Sequence, residues 1–321
     1  MTQLLAPLTD AAPDVATIGR RLIDNIERVV RGKRDVVTQL VVSALASGHV
    51  LVEDVPGLGK TTLAKALARS VGGTFKRVQG TSDLVPSELT GVNVYLPSAS
   101  NWEFRPGPVF ANVLLLDELN RATPRTQSAL LEAMAEGQTT VDGTTYRLPS
   151  PFLVVATQNP TDNAGTFPLV EGQRDRFLSV VSMGHPDAAA ERDLLLGHGG
   201  ERELAQLAAV CDTAQLERAQ RAVRAIHIHG TIADYVVAIG AATRNEPSIS
   251  LGLSPRGSLA LMRAAQARAA LAGRDFVSPD DVQATAPYVI PHRLSIAGGA
   301  DLAIARRLTA ELLGRTPVPR G

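Results

Sequence analysis

The sequence predicts an α/β fold with a second, all-helical part: a five-stranded parallel sheet between helical layers, followed by a run of helices. Three observations carry this. Short apolar runs alternate with amphipathic stretches from residue 15 to about 186, the order a parallel sheet needs because each crossover is long enough to hold a helix. The runs are continuous rather than alternating, as in strands buried on both faces, and several end in polar or acidic residues: HVLVEDV, NVLLLDE and FLVVATQNP. Beyond about residue 186 strand signals fade and helical periodicity dominates.

Taken in order, Ile18, Leu22, Ile23, Ile26, Val29 and Val30 share one face and predict a helix over 15–30. Val37, Leu40, Val41, Ala44 and Leu45 predict a second over 34–47. HVLVEDV is the first strand, and the helix TTLAKALARSV stops at Gly72-Gly73. TFKRVQ and NVLLLDE are strands. Thr123 caps, and Pro124 opens, a helix that runs to about Glu136. Asp142-Gly143 in QTTVDGTTYRLP signals a hairpin. FLVVATQNP and FLSVVSM complete the sheet. Helices are then predicted at 187–198, 213–227, 231–244, 255–272 and 279–287, the last opened by Ser278, Pro279 and Asp281. The expected organisation is a loose arm (1–14), a core (15–186), a helical domain (187–312) and a tail (313–321).

Composition narrows the function. Lys+Arg and Asp+Glu both number 32 in 321 residues, so no net charge draws the chain to nucleic acid or anionic lipid. A single cysteine, Cys211, forms no intramolecular disulfide, sits in an apolar setting and suits a reducing compartment. No apolar run is long enough to cross a bilayer, and the N-terminus lacks the pattern of a secretory signal. A cytoplasmic protein without membrane insertion is expected.

The motif that carries chemistry is EDVPGLGKTT at 53–62. It has the spacing of a phosphate-binding loop, with Asp54 where the pattern has its first glycine. Asp54, Val55, Pro56, Gly57, Leu58, Gly59, Lys60, Thr61 and Thr62 are the candidate nucleotide contacts. Gly57 and Gly59 permit close backbone approach, and the amides of 57–62 and the start of the next helix face the phosphates. Lys60 adds a positive charge, and Thr61 offers a hydroxyl to Mg²⁺. At Asp54 the glycine mainly eases a turn, which aspartate also tolerates, with its carboxylate directed away from the anion. Downstream, Asp117 is expected to hold Mg²⁺ and Glu118 to act as general base toward water. Asn159, at the end of FLVVATQNP, would orient that water. Arg256, at the helix start in GLSPRGS, could reach a γ-phosphate from the second domain.

LVEDVPGLGKTTLAKALA, RPGPVFANVLLLDELNRATPRTQSALLEAMAEGQTTVDG, FLVVATQNP, EGQRDRF and GLSPRG together resemble the MoxR family of AAA+ ATPases over about residues 15–312. An aspartate before Val55-Pro56 is common in that family. The resemblance implies an αβα P-loop core with a helical lid, and insertions near GVNVYLPSASNWEF and at 138–148. It implies hydrolysis of ATP with Mg²⁺ in a homo-oligomeric ring, usually a hexamer, with nucleotide at each subunit boundary. Arg176 matches the family's finger position, supplied to the neighbouring subunit, and Arg121 also lies on that boundary. Arg174 stands where the family usually has an apolar residue, so either arginine could reach across. Lys33 replaces a glutamine on the adenine side. Arg256 is expected to serve its own subunit's nucleotide from the lid. The implied role is chaperone-like remodelling with a von Willebrand A domain partner, acting on a protein client in maturation or in metal or cofactor loading.

Two alternatives remain in view. A DNA-directed motor or loader is disfavoured by the charge balance and the lack of a DNA module. A small-molecule kinase would need an acceptor site. His227 and His229 would point apart on a helix and suit surface or capping roles. Trp102 and Phe104 suit the packing of an insertion hairpin, with Tyr95 and Trp102 available to meet a client.

Overall fold

The structure, a computed structural model, describes residues 14–55, 57–159, 165–196, 200–296 and 302–319. Helices α1 (Val15–Glu27) and α2 (Arg34–Leu45) precede β1 (His49–Glu53), which leads through the glycine loop into α3 (Lys60–Ser70). Then follow β2 (Phe75–Gln79), α4 (Pro86–Thr90), the hairpin β3 (Gly91–Leu96) and β4 (Asn101–Pro106), and β5 (Val113–Asp117). Helix α5 (Pro124–Glu136), the hairpin β6 (Gln138–Val141) and β7 (Thr144–Arg147), β8 (Leu153–Gln158), α6 (Glu171–Arg174) and β9 (Phe177–Val181) complete the first part. The remainder comprises α7 (Ala188–Leu195), α8 (Glu201–Gln206), α9 (Thr213–Arg224), α10 (Gly230–Asn245), β10 (Ile249–Leu251), α11 (Pro255–Leu271), α12 (Pro279–Val289), β11 (Ser295–Ile296) and α13 (Leu302–Arg315).

The five predicted strands form one parallel sheet in the order β2-β5-β8-β1-β9. The chain leaves β1 for the far edge and returns strand by strand to β8, so β1 and β8 flank the crevice where the winding reverses. Ligands of open parallel sheets bind there, beyond the carboxyl ends of the strands. Burial explains the uninterrupted apolar runs. Val50 and Val52 of β1 pack into one core cluster while Leu51 packs into the other, and Leu115 of β5 faces away from Leu114 and Leu116. Both faces of each strand meet apolar neighbours, so no polar alternation survives.

Several boundaries differ from the sequence expectation. α1 stops at Glu27, and Val29 and Val30 stay buried in the turn that follows. α7 ends at Leu195, short of the expected 198. Helices α8 and α13 and the small β10–β11 sheet lie outside the elements that periodicity predicts. α13 runs through Arg315 into the stretch assigned to a tail, and Thr316 is buried with its hydroxyl donating to the Leu312 carbonyl at 2.8 Å. Of the expected arm, 1–14, residues 1–13 lie outside the described residues, and Asp14 caps α1, its Oδ1 accepting the Thr17 N–H at 2.9 Å. Among the described residues no helix is long and apolar enough to cross a membrane.

His49 anchors the start of β1. Its Nδ1 accepts the Val154 N–H at 2.9 Å, and its Nε2 lies 3.2 Å from the Met134 carbonyl, which selects the neutral tautomer with its proton on Nε2. Burial pushes its pKa from 6.5 down to about 4. Between those values the unfolded chain binds a proton that the folded chain does not. The stabilisation is therefore complete above pH 6.5 and is lost as pH falls toward 4, by about 3 kcal/mol. His292, also buried and beside Arg293, shifts in the same direction. Chemical denaturation from pH 7 to pH 4 should show His49→Gln losing about one proton's worth of pH slope relative to the parent. Equal slopes would show that His49 is not held neutral.

Candidate active site

The loop between β1 and α3 takes its shape from its glycines. Gly57 and Gly59 have φ of 86° and 84°, and Gly59 caps α3 from the left-handed region. Side chains are strained there, so these two positions require glycine. The helix then opens at Lys60, with Thr61 and Thr62 half-buried in its first turn. Lys60 Nζ donates to the Asp54 carbonyl at 2.8 Å. Burial pulls the Lys60 pKa down, against the charges of Asp54, Asp117 and Glu118. Leu58 packs against the main core cluster, Val55 is half-buried, and Pro56 lies outside the described residues.

Asp54 does something the glycine pattern does not suggest. Its Oδ2 accepts the backbone N–H of Met183 at 2.6 Å and of Gly184 at 2.8 Å, with the Ser182 hydroxyl at 3.3 Å. Oδ1 accepts the N–H of Val55 at 3.1 Å. The carboxylate thus ties the loop to the segment leaving β9. The side chain is spent on Met183 and Gly184, and the backbone carbonyl accepts from Lys60. Close by, Lys33 Nζ donates to the His185 carbonyl at 2.6 Å.

The two acids end the central strand β5. Asp117 Oδ1 accepts the Thr157 hydroxyl at 3.2 Å, and Oδ2 accepts Arg77 Nε at 2.7 Å. Thr61 Oγ1 stands 3.5 Å from the same Oδ2. Two hard oxygens so placed beside a phosphate loop fit a magnesium ion. Glu118 has φ 54° and ψ 50°, and its N–H donates to Thr157 Oγ1 at 2.9 Å. Its carboxylate pairs with Arg121 Nε at 3.0 Å. Asn159, directly after β8, lines the cleft beside Glu53 and Gln158.

The arginines separate clearly. Arg176 is exposed. Arg174 is half-buried, and its Nε is enclosed without a hydrogen-bond partner. Between them, Asp175 Oδ1 accepts Arg293 Nε at 2.7 Å and Oδ2 accepts the Ser254 hydroxyl at 3.3 Å. Ser254 is the cap of α11, so this bond ties the start of the helix that carries exposed Arg256 to Asp175. Asp175 precedes the first residue of β9, while Asp54 binds the segment after its last. A strand of five residues spans about 17 Å. The start of α11 is therefore fixed at the far end of the sheet from Lys60. Arg256, expected to serve its own subunit's phosphates, starts its helix there. The cause is the bonding of Asp175 to Arg293 and Ser254, which no local pattern displays.

The profile of the ATPase family associated with various cellular activities (AAA) matches residues 49–179, and that of the AAA lid domain matches residues 241–311. The Bacillus subtilis protein YeaC is 46% identical over 93% of this chain and 94% of its own length. The Mycobacterium tuberculosis chaperone MoxR1 is 40% identical over 88% of this chain and 77% of its own. A crystal structure of an ATPase candidate from Cytophaga hutchinsonii superposes with a TM-score of 0.86 at 31% identity, covering 98% of this chain and 99% of that one.

The chain belongs to the MoxR family of AAA+ ATPases.

In this MoxR-family ATPase the sequence reading missed three residues around the acids. Thr157 bonds both, through its hydroxyl proton to Asp117 and its oxygen to the Glu118 N–H. It was visible in VVATQNP as the polar residue that ends an apolar strand. Arg77 holds Asp117 from β2. Gly80 donates to the Asp117 carbonyl at 2.6 Å, and a Cβ there would lie 2.2 Å from the Glu118 carbonyl oxygen. Only glycine lets β2 approach the left-handed turn at Glu118. The two insertions also meet: Phe104 stacks on Tyr146 at 3.9 Å, and Asn93 Nδ2 donates to Asp142 at 2.8 Å. Tyr95 and Trp102 pair across β3–β4 with rings 5.3 Å apart, and Trp102 stays 64% exposed. His229 caps α10, its Nδ1 accepting the Thr231 N–H at 3.3 Å.

Proposed function

We propose that this AAA+ ATPase hydrolyses ATP to ADP and phosphate at the boundary between protomers of a ring, six in number, and spends the resulting motion on a protein client. The core, 15–186, supplies the phosphate loop and both acids, and the lid follows from 187. Amides of the loop and Lys60 hold the β- and γ-phosphates. Thr61 and Asp117 would hold Mg²⁺, which neutralises charge developing on the phosphate oxygens. Glu118 accepts the proton of the attacking water, and Asn159 orients that water without adding charge. Arg176 and Arg256 come from the neighbouring protomer.

The observation that carries this reading is the split between the two ends of the sheet. Lys60, Thr61, Asp117 and Glu118 gather at the carboxyl ends of the strands, whereas Asp175, next to Arg176, bonds the Ser254 cap of the Arg256 helix before the start of β9. In this reading Arg77 and Arg121 pair with the acids of their own chain, and Arg176 and Arg256 are offered to another protomer. For the client side, support comes from the exposed Tyr95–Trp102 pair on a hairpin braced by the second insertion, and from the name chaperone carried by the Mycobacterium relative. A von Willebrand A domain protein is the proposed partner, and maturation or metal loading of a target complex the proposed task.

The test is phosphate release from MgATP, without added acceptor, over a range of protein concentrations. Specific activity should rise with concentration as boundaries form. No release without an acceptor would turn the reading toward a kinase. Stimulation by DNA with steep salt dependence would turn it toward a DNA motor.

A further inference from the structure

Beside the phosphate loop a cleft of about 800 Å³ opens between the ends of β1 and β8, α6 and the start of α13. Glu53, the last residue of β1, lines it. Gln158 Nε2 donates to Glu53 Oε1 across the β1–β8 register. Arg174 of α6 and Arg306 of α13 line the same cleft. Gln158 acts on Glu53 through a hydrogen bond, whereas the two arginines act through charge alone, and burial still holds the carboxyl above its usual range. The Arg174 Nε, enclosed and without a partner, is a donor left over. A desolvated acid thus faces two cations at a range where it feels their field without bonding them. Such a group gains by closing on its counter-charges, because contact offsets the desolvation it already bears.

Three parts of the chain meet at this cleft. Glu53 continues into Asp54 and the phosphate loop. Arg174 stands two residues before Arg176. Arg306 belongs to the last lid helix. We infer that Glu53 is a positioning residue for the trans arginines: its charge draws Arg174 and Arg306 toward the end of β1, so the state of a protomer's own nucleotide loop sets where its Arg176 stands in the next site. The inference rests on Arg176 acting in trans. Gln158 competes for the same carboxylate and immediately precedes Asn159. A shift of the β8 end as Asn159 meets a γ-phosphate releases Glu53 to the arginines. Asp175 is bonded to Arg293 and Ser254, so the start of α11, and Arg256 with it, moves as one piece with Arg174.

The experiment is a double-mutant cycle of Glu53→Gln and Arg174→Gln in the full-length assembled protein. It reads steady-state hydrolysis, the Hill coefficient for ATP, and binding of a fluorescent ATP analogue. Glu53→Gln keeps the side chain's shape and a hydrogen bond to Gln158. Binding should stay within about twofold, kcat should fall about tenfold, and the Hill coefficient should drop toward one. Arg174→Gln should give the same loss, and the double variant should be no worse than either single one. If Glu53→Gln fails to fold by thermal melting, Arg174→Gln alone must still show the kcat loss at unchanged binding. Full kcat in a folded Glu53→Gln protein, or losses that multiply in the double variant, would overturn the inference. Arg176→Ala separates the two ideas: parental kcat in that variant refutes the trans reading itself, whereas an inactive Arg176→Ala beside a fully active Glu53→Gln refutes only the coupling.

Discussion

Glu118→Gln should bind MgATP with near-parental affinity and hydrolyse it about 10²–10⁴-fold more slowly. The amide keeps the size of the carboxylate but cannot take a proton from water. The backbone that places it should persist, since the Glu118 N–H remains bonded to Thr157 and Gly80 still admits the left-handed turn. Arg121 loses its charged partner, a half-exposed pair whose loss should cost the fold little. Asp117→Asn makes the contrast. It weakens the oxygen donor set at Thr61 and the bond to Arg77, so it should raise the magnesium requirement as well as lower the rate. Calorimetry of MgATP binding and a phosphate-release assay on the same preparations separate the two outcomes. Equal hydrolysis by parent and Glu118→Gln would remove Glu118 from the chemistry. A retained, unhydrolysed ATP should also hold the ring in its client-bound state, which makes this variant the bait for identifying the partner.

How much of this was written in the sequence follows from where each partner lies. The sheet was legible because burial on both faces makes each strand a continuous apolar run, as at Val50, Leu51 and Val52. The loop and the acids were legible because their spacing along the chain is the chemistry. That the Asp54 carboxylate turns from the anion follows from charge alone, but its partners are hidden, since the amides it binds lie 129 and 130 positions away. The setting of Arg256 is hidden for the same reason. Its helix cap is held by Asp175, 79 positions from Ser254, and Asp175 is held in turn by Arg293. Side chains that bond across domains leave no local period, and proximity of a lid residue to its own core cannot be inferred from motif order. Gly80 was hidden differently. Its necessity comes from the neighbouring strand's carbonyl, so it looked like any turn glycine.

Arg176→Ala should lower hydrolysis by about 10³–10⁵-fold, the range that arginine fingers contribute in other phosphoryl-transfer systems. Nucleotide affinity should hardly change, because in the proposed arrangement the residue meets the transition state rather than the loop. The decisive form of the experiment mixes two inactive proteins. Glu118→Gln protomers retain both arginines, and Arg176→Ala protomers retain both acids. If Arg176 acts across a boundary, random mixing in equal parts gives about a quarter of boundaries a sound acid from one side and a sound arginine from the other. Activity then reappears in proportion. If Arg176 acts within its own chain, every site in the mixture is broken and nothing is restored. Arg256→Ala should complement Glu118→Gln in the same way, since the Ser254–Asp175 bond places both arginines at one end of the sheet. Complementation by Arg176→Ala without complementation by Arg256→Ala would mean that the lid moves to bring Arg256 to its own nucleotide. That motion would have to break the Ser254–Asp175 bond and the Arg293 pair behind it, whose guanidinium is almost wholly buried and also bonds the Phe177 and Leu178 carbonyls. Breaking a buried pair of that kind costs about 3–5 kcal/mol, so the trans arrangement is the one the bonding favours.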